Sequence, residues 1–408
     1  MPLLAQLSVC SETRAQKQGH KLILSPAQSQ PEVCDGPSIT IASSADASQI
    51  AECSPYNGDV IISSDASGQI SLDGVASISG DLRCTNASQL TAISADKLSE
   101  IGGIFDLEEL QIMSSLQMSA LVGVNQIKWI ALPALQSLNF AQGVAKANQV
   151  YISNTGLTDL AGIELEQVAS MDINNNQYLK TINVNGLTNV TQSLSFSANG
   201  MNLEIEFPNL LNAANLTFRN VTSISMPSLE IVPGSMGFYS NGFDTFAAPN
   251  LTSTGNTIAF VDSPSLTDIS FPMLETVGGG IIIANNTKLT SLVGDFNSLE
   301  TIDGDINFYG TFDAISFKAL TDVKGAATVY TSSSNTSICD LFNGAKSNQI
   351  IKGKVDCETS SKNVAGDNSS DSSSSSSSSD SKSAAVSKFV YSAPLTAVAA
   401  LIAALLFI

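Results

Sequence analysis

Short apolar runs of strand type return about every 22 residues along most of this chain, and a unit that small leaves few folds open. The runs lie at 59–63, 81–84, 104–107, 150–153, 171–174, 194–197, 216–219, 237–240, 258–261, 281–284, 306–309 and 328–331. A turn residue follows most of them, at Asn154, Asn175, Asn199, Asn220, Asn241, Asp262, Asn285 and Gly310, in steps of 21, 24, 21, 21, 21, 23 and 25. A second motif keeps the same period on the other side of each unit: LPALQSL from 132, FPNLLNA from 207, MPSLEIV from 226, APNLTST from 248, FPMLETV from 271, FNSLETI from 296 and FKALTDV from 317.

Glycine closes this second motif at Gly234, Gly255, Gly278, Gly304 and Gly325, and Gly58, Gly80 and Gly102 stand in the same place in earlier copies. Such a residue suits a tight corner, by positive φ or by close backbone approach. The intervals carry Pro, Gly, Ser and Asn every few residues and no ten-residue stretch at helical spacing, so each unit reads as short strands joined by corners. One coil cannot cover its own apolar edge, whereas stacked coils bury a continuous column of Leu, Ile and Val. The expected fold is all-β, a right-handed parallel β-solenoid of leucine-rich coils. Asparagines recurring at one corner are expected to form a hydrogen-bonded ladder from coil to coil, and the Pro before each Leu to mark another corner.

Charge and composition remove several functions. Across 408 residues, 18 Lys and Arg stand against 37 Asp and Glu, a net charge of −19 that repels phosphate backbones and excludes nucleic acid as a partner. His20 is the one histidine and lies outside the repeat, which removes the usual residue of triads, metal sites and general bases; no metal, cofactor or catalytic residue is expected. The six cysteines, Cys10, Cys34, Cys53, Cys84, Cys339 and Cys357, have no CxxC spacing, so disulfides in an exported chain are the better reading.

The two ends differ from the middle. Residues 388–408 hold a hydrophobic tail with nothing after it, the pattern of a glycosylphosphatidylinositol (GPI) attachment signal that is removed on maturation. Ser383, with Ala384 and Ala385, supplies the small triplet and is the expected lipidated residue; a polar spacer and an apolar stretch follow. Residues 359–387 include eight consecutive serines, Ser372 to Ser379, and lack the apolar residues that would offset chain entropy, so they read as a disordered stalk. The solenoid is assigned to 34–358. An exported chain should open with a signal peptide, but residues 1–33 show none, and a wrong start site or mis-joined exon is the expected explanation.

Four stretches in order, SITIASSADASQIAEC from 38, ISLDGVASISGDL from 70, NASQLTAISADKLSEIGG from 86 and IKWIALPALQSLNF from 127, carry a family likeness. From Cys34 to the C-terminus the chain resembles the fungal GPI-anchored cell-wall organisation glycoproteins, the extracellular-mutant and sporulation-specific group, whose fold is similar to the receptor L-domain. The resemblance implies a non-enzymatic surface mannoprotein needed for wall integrity, located at the outer leaflet of the plasma membrane and in the wall. Glucan, chitin or other wall mannoproteins are the partners it suggests.

Terminal coils fray first, so staples are expected there, Cys34 with Cys53 and Cys339 with Cys357, leaving Cys84 as a buried thiol. Sequons stand at Asn86, Asn189, Asn215, Asn220, Asn250, Asn285, Asn335 and Asn368, with Asn368 expected to be the most accessible and Asn86 or Asn335 next. The rival reading is a wall-polysaccharide-modifying enzyme on the same scaffold, for which Asp303 and Asp305, flanking Gly304, are the nearest approach to a carboxylate pair. Trp129 offers a sugar-stacking ring, although its IKWIALP setting fits a core residue better.

Overall fold

Strand follows strand in parallel from coil to coil in the computed structural model, which describes residues 32–360 and builds them into a β-solenoid of about 13 turns. Cys10, His20, Asn368, Ser383 and the assigned opening segment, stalk and hydrophobic tail lie outside the described residues, apart from the few at 32–33 and 359–360. One 22-stranded sheet runs the whole length, and shorter sheets of two or three strands line another side.

Register makes the core. In successive coils Leu194 lies beside Leu216, Met236, Ile258, Ile281 and Ile306, while Phe196 lies beside Phe218, Phe238, Phe260, Ile283 and Phe308. Because strands are about 4.8 Å apart, identical residues in register touch, and each buried side chain contributes roughly 1.5–3 kcal/mol. Phe218, Phe238 and Phe260 form a stack with centroids 5.5 and 4.6 Å apart and planes within 13°. Trp129 is fully buried in the same column farther upstream, edge-on to Phe105 at 5.6 Å.

Two kinds of corner turn the chain. At Gly255, Gly278, Gly304 and Gly325 an added Cβ would strike the backbone of the preceding coil, so close approach rather than positive φ demands glycine. At the other corner the backbone is left-handed, with φ of 51–59° at Asn154, Asn175, Ala198, Asn220, Ser240, Asp262 and Asn285. Asn and Asp tolerate that region best.

The asparagine ladder exists, but it occupies two positions where the sequence suggests one. Asn199 and Asn241 are not the left-handed residues; they follow Ala198 and Ser240 and are buried, as are Asn176 and Asn286. Each of these four amides donates to a carbonyl of the preceding coil, of Ile152, Ile173, Phe218 and Phe260, at 2.8–3.1 Å. The side-chain oxygens of Asn176, Asn199, Asn241 and Asn286 accept from the backbone N–H of Thr155, Asn176, Val221 and Ser263. Backbone groups that the corner would orphan are thereby paired.

The ends are closed differently. Cys34 bonds to Cys53 at one, beside the short helix Ser44–Ala47 with its Ser43 and Asp46 capping box. At the other, Cys339 bonds to Cys357 and ties the helix Ser337–Ser347 to the strand Val355–Thr359. That 11-residue helix buries Ile338 and Phe342 against the last coil. It interrupts the all-strand expectation, and its signal is the apolar spacing of Ile338, Leu341, Phe342 and Ala345.

Candidate functional site

Alternate residues of the long sheet face outward, and the register aligns them into columns. One column runs Arg83, Asp106, Lys128, Tyr151, Asp172, Ser195, Thr217, Gly237, Ala259, Ile282 and Asn307. Its first part is charged. Lys128 reaches Asp106 at 3.4 Å and also pairs with Glu108, while Arg83 pairs with Asp81. Burial lifts the Asp106 carboxyl above the usual carboxylate range, with Lys128 opposing it, and one Asp106 oxygen has no partner among the described residues.

The later part is apolar and covers itself. Tyr239, Ala259, Val261 and Ala284 pack into a small second cluster on the outside of the sheet. The Tyr239 ring lies over Gly237, where a Cβ would meet it, and Arg219 covers the ring at 4.2 Å from its centroid. Tyr309 and Tyr330 stack on one another, 5.5 Å apart, rather than lying flat. Arg219 thus takes one face of the Tyr239 ring, and Tyr309 and Tyr330 each turn one face to the other.

Upstream, a groove of about 540 Å³ crosses five coils. Its charged and polar lining includes Glu100, Asn125, Lys146, Asn148, Glu166 and Gln167. The closing glycines explain its position, because they lapse between Gly102 and Gly234. Asn125 and Asn148, which the register sets side by side, together with Ala169 and Thr191, occupy that part of the coil. A side chain there forbids close backbone approach, and the strands Gly123–Leu132, Lys146–Thr155, Gln167–Asn174 and Asn189–Ser197 run on unbroken; Glu100–Glu108 does so too, although it passes through Gly102 and Gly103, and β-bulges interrupt two of the pairings in this group.

Elsewhere polar side chains bridge coils: Asn215 to Gln192, Ser228 to Pro208, Asn250 to Pro227, Thr252 to Glu230. In the groove the side chains of Asn125, Lys146, Asn148 and Gln167 have no hydrogen-bond or ion-pair partner among the described residues. Sequence reasoning missed this site because its residues are a coil apart; the break in the glycine series was the available signal.

The other residues singled out in the sequence are separated. Asn86, Asn220 and Asn285 sit exposed at the left-handed corner, Asn189 is half-buried at a strand start, and Asn215, Asn250 and Asn335 are exposed with their amides donated to carbonyls. Cys84 is buried, and burial pushes its thiol up to about 12. Asp303 pairs with Lys324 at 2.8 Å, and Asp305 accepts from the Ala326 N–H at 2.7 Å, so each carboxylate has its own partner. Trp129, at full burial, presents no ring to a ligand.

Comparison with known proteins gives three informative relatives. The chain is 40% identical over 325 residues to protein ecm33 of Aspergillus fumigatus, covering 80% of each chain. It is 38% identical over 333 residues to a cell surface GPI-anchored protein of Arthroderma benhamiae, covering 81% of this chain and 85% of that one. Cell wall protein ecm33 of Schizosaccharomyces pombe is 30% identical over 340 residues, 82% of this chain and 79% of its own. No family model matches the chain, and no solved structure matches it.

Proposed function

Because this chain belongs to the fungal ecm33 family of cell-wall and GPI-anchored cell-surface proteins, we propose that it is a non-enzymatic wall glycoprotein that holds wall polysaccharide or other wall proteins against its solenoid. The carrying observation is the groove, where Asn125, Lys146, Asn148 and Gln167 of neighbouring coils bring unpaired polar side chains together along one concave face. A rigid parallel sheet fixes the backbone spacing of those groups, so binding orders their side chains but not the main chain.

Catalysis fits the groove poorly. Glu100 and Glu166 stand three coils apart, about 14 Å at normal strand spacing, beyond the separation of roughly 5–9.5 Å that glycosidases use. In this reading Ser383 carries the GPI lipid, 359–387 is the stalk, 388–408 is removed, and the seven sequons within the solenoid and Asn368 are the glycan sites. The test is sedimentation of the purified secreted protein with insoluble chitin and β-glucan, with assay of the supernatant for sugars. Binding without released oligosaccharide is expected; failure to bind either overturns the polysaccharide reading and leaves wall proteins as the partner, and release of product overturns the non-enzymatic one.

A further inference from the structure

We propose that the groove is a subsite for an extended, neutral, 1,4-linked β-hexopyranose chain lying along the solenoid axis at about one sugar per coil, an inference that rests on the polysaccharide-binding reading above. Five coils give the trough a length of about 19 Å at a strand spacing of about 4.8 Å. That spacing is close to the rise per sugar of an extended 1,4-linked chain, whose sugars alternate by about half a turn, so the adjacent amides of Asn125 and Asn148 each meet one sugar, on alternating edges of the chain. A coiled 1,3-linked glucan does not keep that register.

The charge pattern selects the class of ligand. Lys146 lies between the coils that carry Glu100 and Glu166, so the lining mixes signs and suits hydroxyl and amide groups rather than a polyanion. The floor suits a ring. Gly123 sits between Glu100 and Lys146 in register, and a Cβ placed there would have only Glu100 Cγ nearby, at 3.6 Å, so its glycine leaves a notch rather than making a close backbone approach. Ala147, Val168 and Ala169 line the base of the groove but are buried, so the ligand is held by the polar walls rather than by a broad apolar floor.

Isothermal titration of the purified secreted protein with chitohexaose, cellohexaose and laminarihexaose tests this. Either 1,4-linked oligomer is expected to bind, the first two arms deciding whether an N-acetyl group is read. The double variant Asn125→Ala/Asn148→Ala and, separately, Gly123→Leu are expected to weaken binding at least tenfold while the thermal melt is kept. Tyr309→Ala/Tyr330→Ala is expected to leave affinity unchanged. Sedimentation with chitin or glucan that survives both groove variants overturns the subsite while leaving the polysaccharide reading intact, as does preference for laminarihexaose. Asn189 and Thr191 make a sequon at the downstream end, so binding that appears only in Asn189→Gln would make the chain's own glycan the occupant and overturn the proposal. Loss of all polysaccharide binding by the unaltered protein removes both readings together.

Discussion

Coils built from residues 100–197 and coils built from residues 212–331 share one period and one register, yet they differ on both faces of the sheet. Upstream, strands of 8–10 residues pass straight through the corner, the interior column is Leu107, Trp129, Ile152 and Ile173, and the outside is charged and grooved. Downstream, each strand is broken into pieces of two and four or five residues, at a glycine in every coil except the first, where Ala214 and Asn215 stand at the break, the interior column is mostly Phe, and the outside is a patch of Tyr, Val and Ala. Glycine in the corner lets one coil lie closely on the next, which favours repetition and a sealed surface. Its absence costs regularity and leaves an opening where unpaired polar groups face solvent.

The largest expected effect tests the interior half of that contrast. Phe238 touches the rings of Phe218, Phe243, Phe246 and Phe260, so Phe238→Ala should destabilise by about 4–5 kcal/mol. Ile152, which holds the same column upstream, should cost about 3 kcal/mol when changed to Ala. Urea denaturation of the two variants measures the difference, and equal losses would mean that the aromatic stack adds nothing to burial. Next comes the ladder. Asn241→Ala removes the acceptor of the Val221 N–H and the donor to the Phe218 carbonyl, both buried, for about 3 kcal/mol. Faster hydrogen exchange at the Val221 amide should accompany it; unchanged protection would show that the ladder is decorative.

Much of this was readable from the sequence, and the reason is physical. A period of about 22 with Leu, Asn and Gly in fixed phase admits few solutions other than stacked coils, because every other arrangement leaves an apolar edge wet. Two details resisted. Asn199 and Asn241 were indistinguishable from their corner neighbours because an exposed left-handed Asn and a buried bonding Asn share a residue type and lie one place apart. The groove was hidden for a different cause: Glu100, Asn125, Lys146 and Asn148 come together only through a register that the sequence does not print, and two bulges shift it.

Asp295 breaks the downstream pattern from within. It stands where neighbouring coils place Ser225 and Ser270, is 7% exposed, and its carboxyl is raised to about 6 by burial first and by the nearby Asp268 second. A carboxyl held protonated in the fold but ionised in the unfolded chain makes stability fall as pH rises from about 4 to about 6, by about 2–3 kcal/mol in all. Asp295→Asn should recover about that amount at pH 7 and flatten the slope across this window. Melting temperatures measured from pH 4 to pH 7 decide it, and an unchanged slope would mean that Asp295 ionises freely in the fold.

The smallest effect lies on the boundary between the two regions. Arg219 stands in register with Tyr239, its guanidinium 4.2 Å above the ring, and closes the apolar patch on the side facing the polar coils. Cation–π contact at a half-exposed site is worth about 1 kcal/mol, so Arg219→Ala should destabilise by about that much, and Arg219→Lys by less, because the planar group that covers the ring is lost. The more telling readout is accessibility: without its cover, Tyr239 should become open to quenching and to nitration while Tyr309 and Tyr330, held by their own stack, stay as they were. Were Tyr239 equally shielded in both variants, the sealing of the downstream face would belong to the sheet itself, and the contrast between the two regions would rest on glycine corners alone.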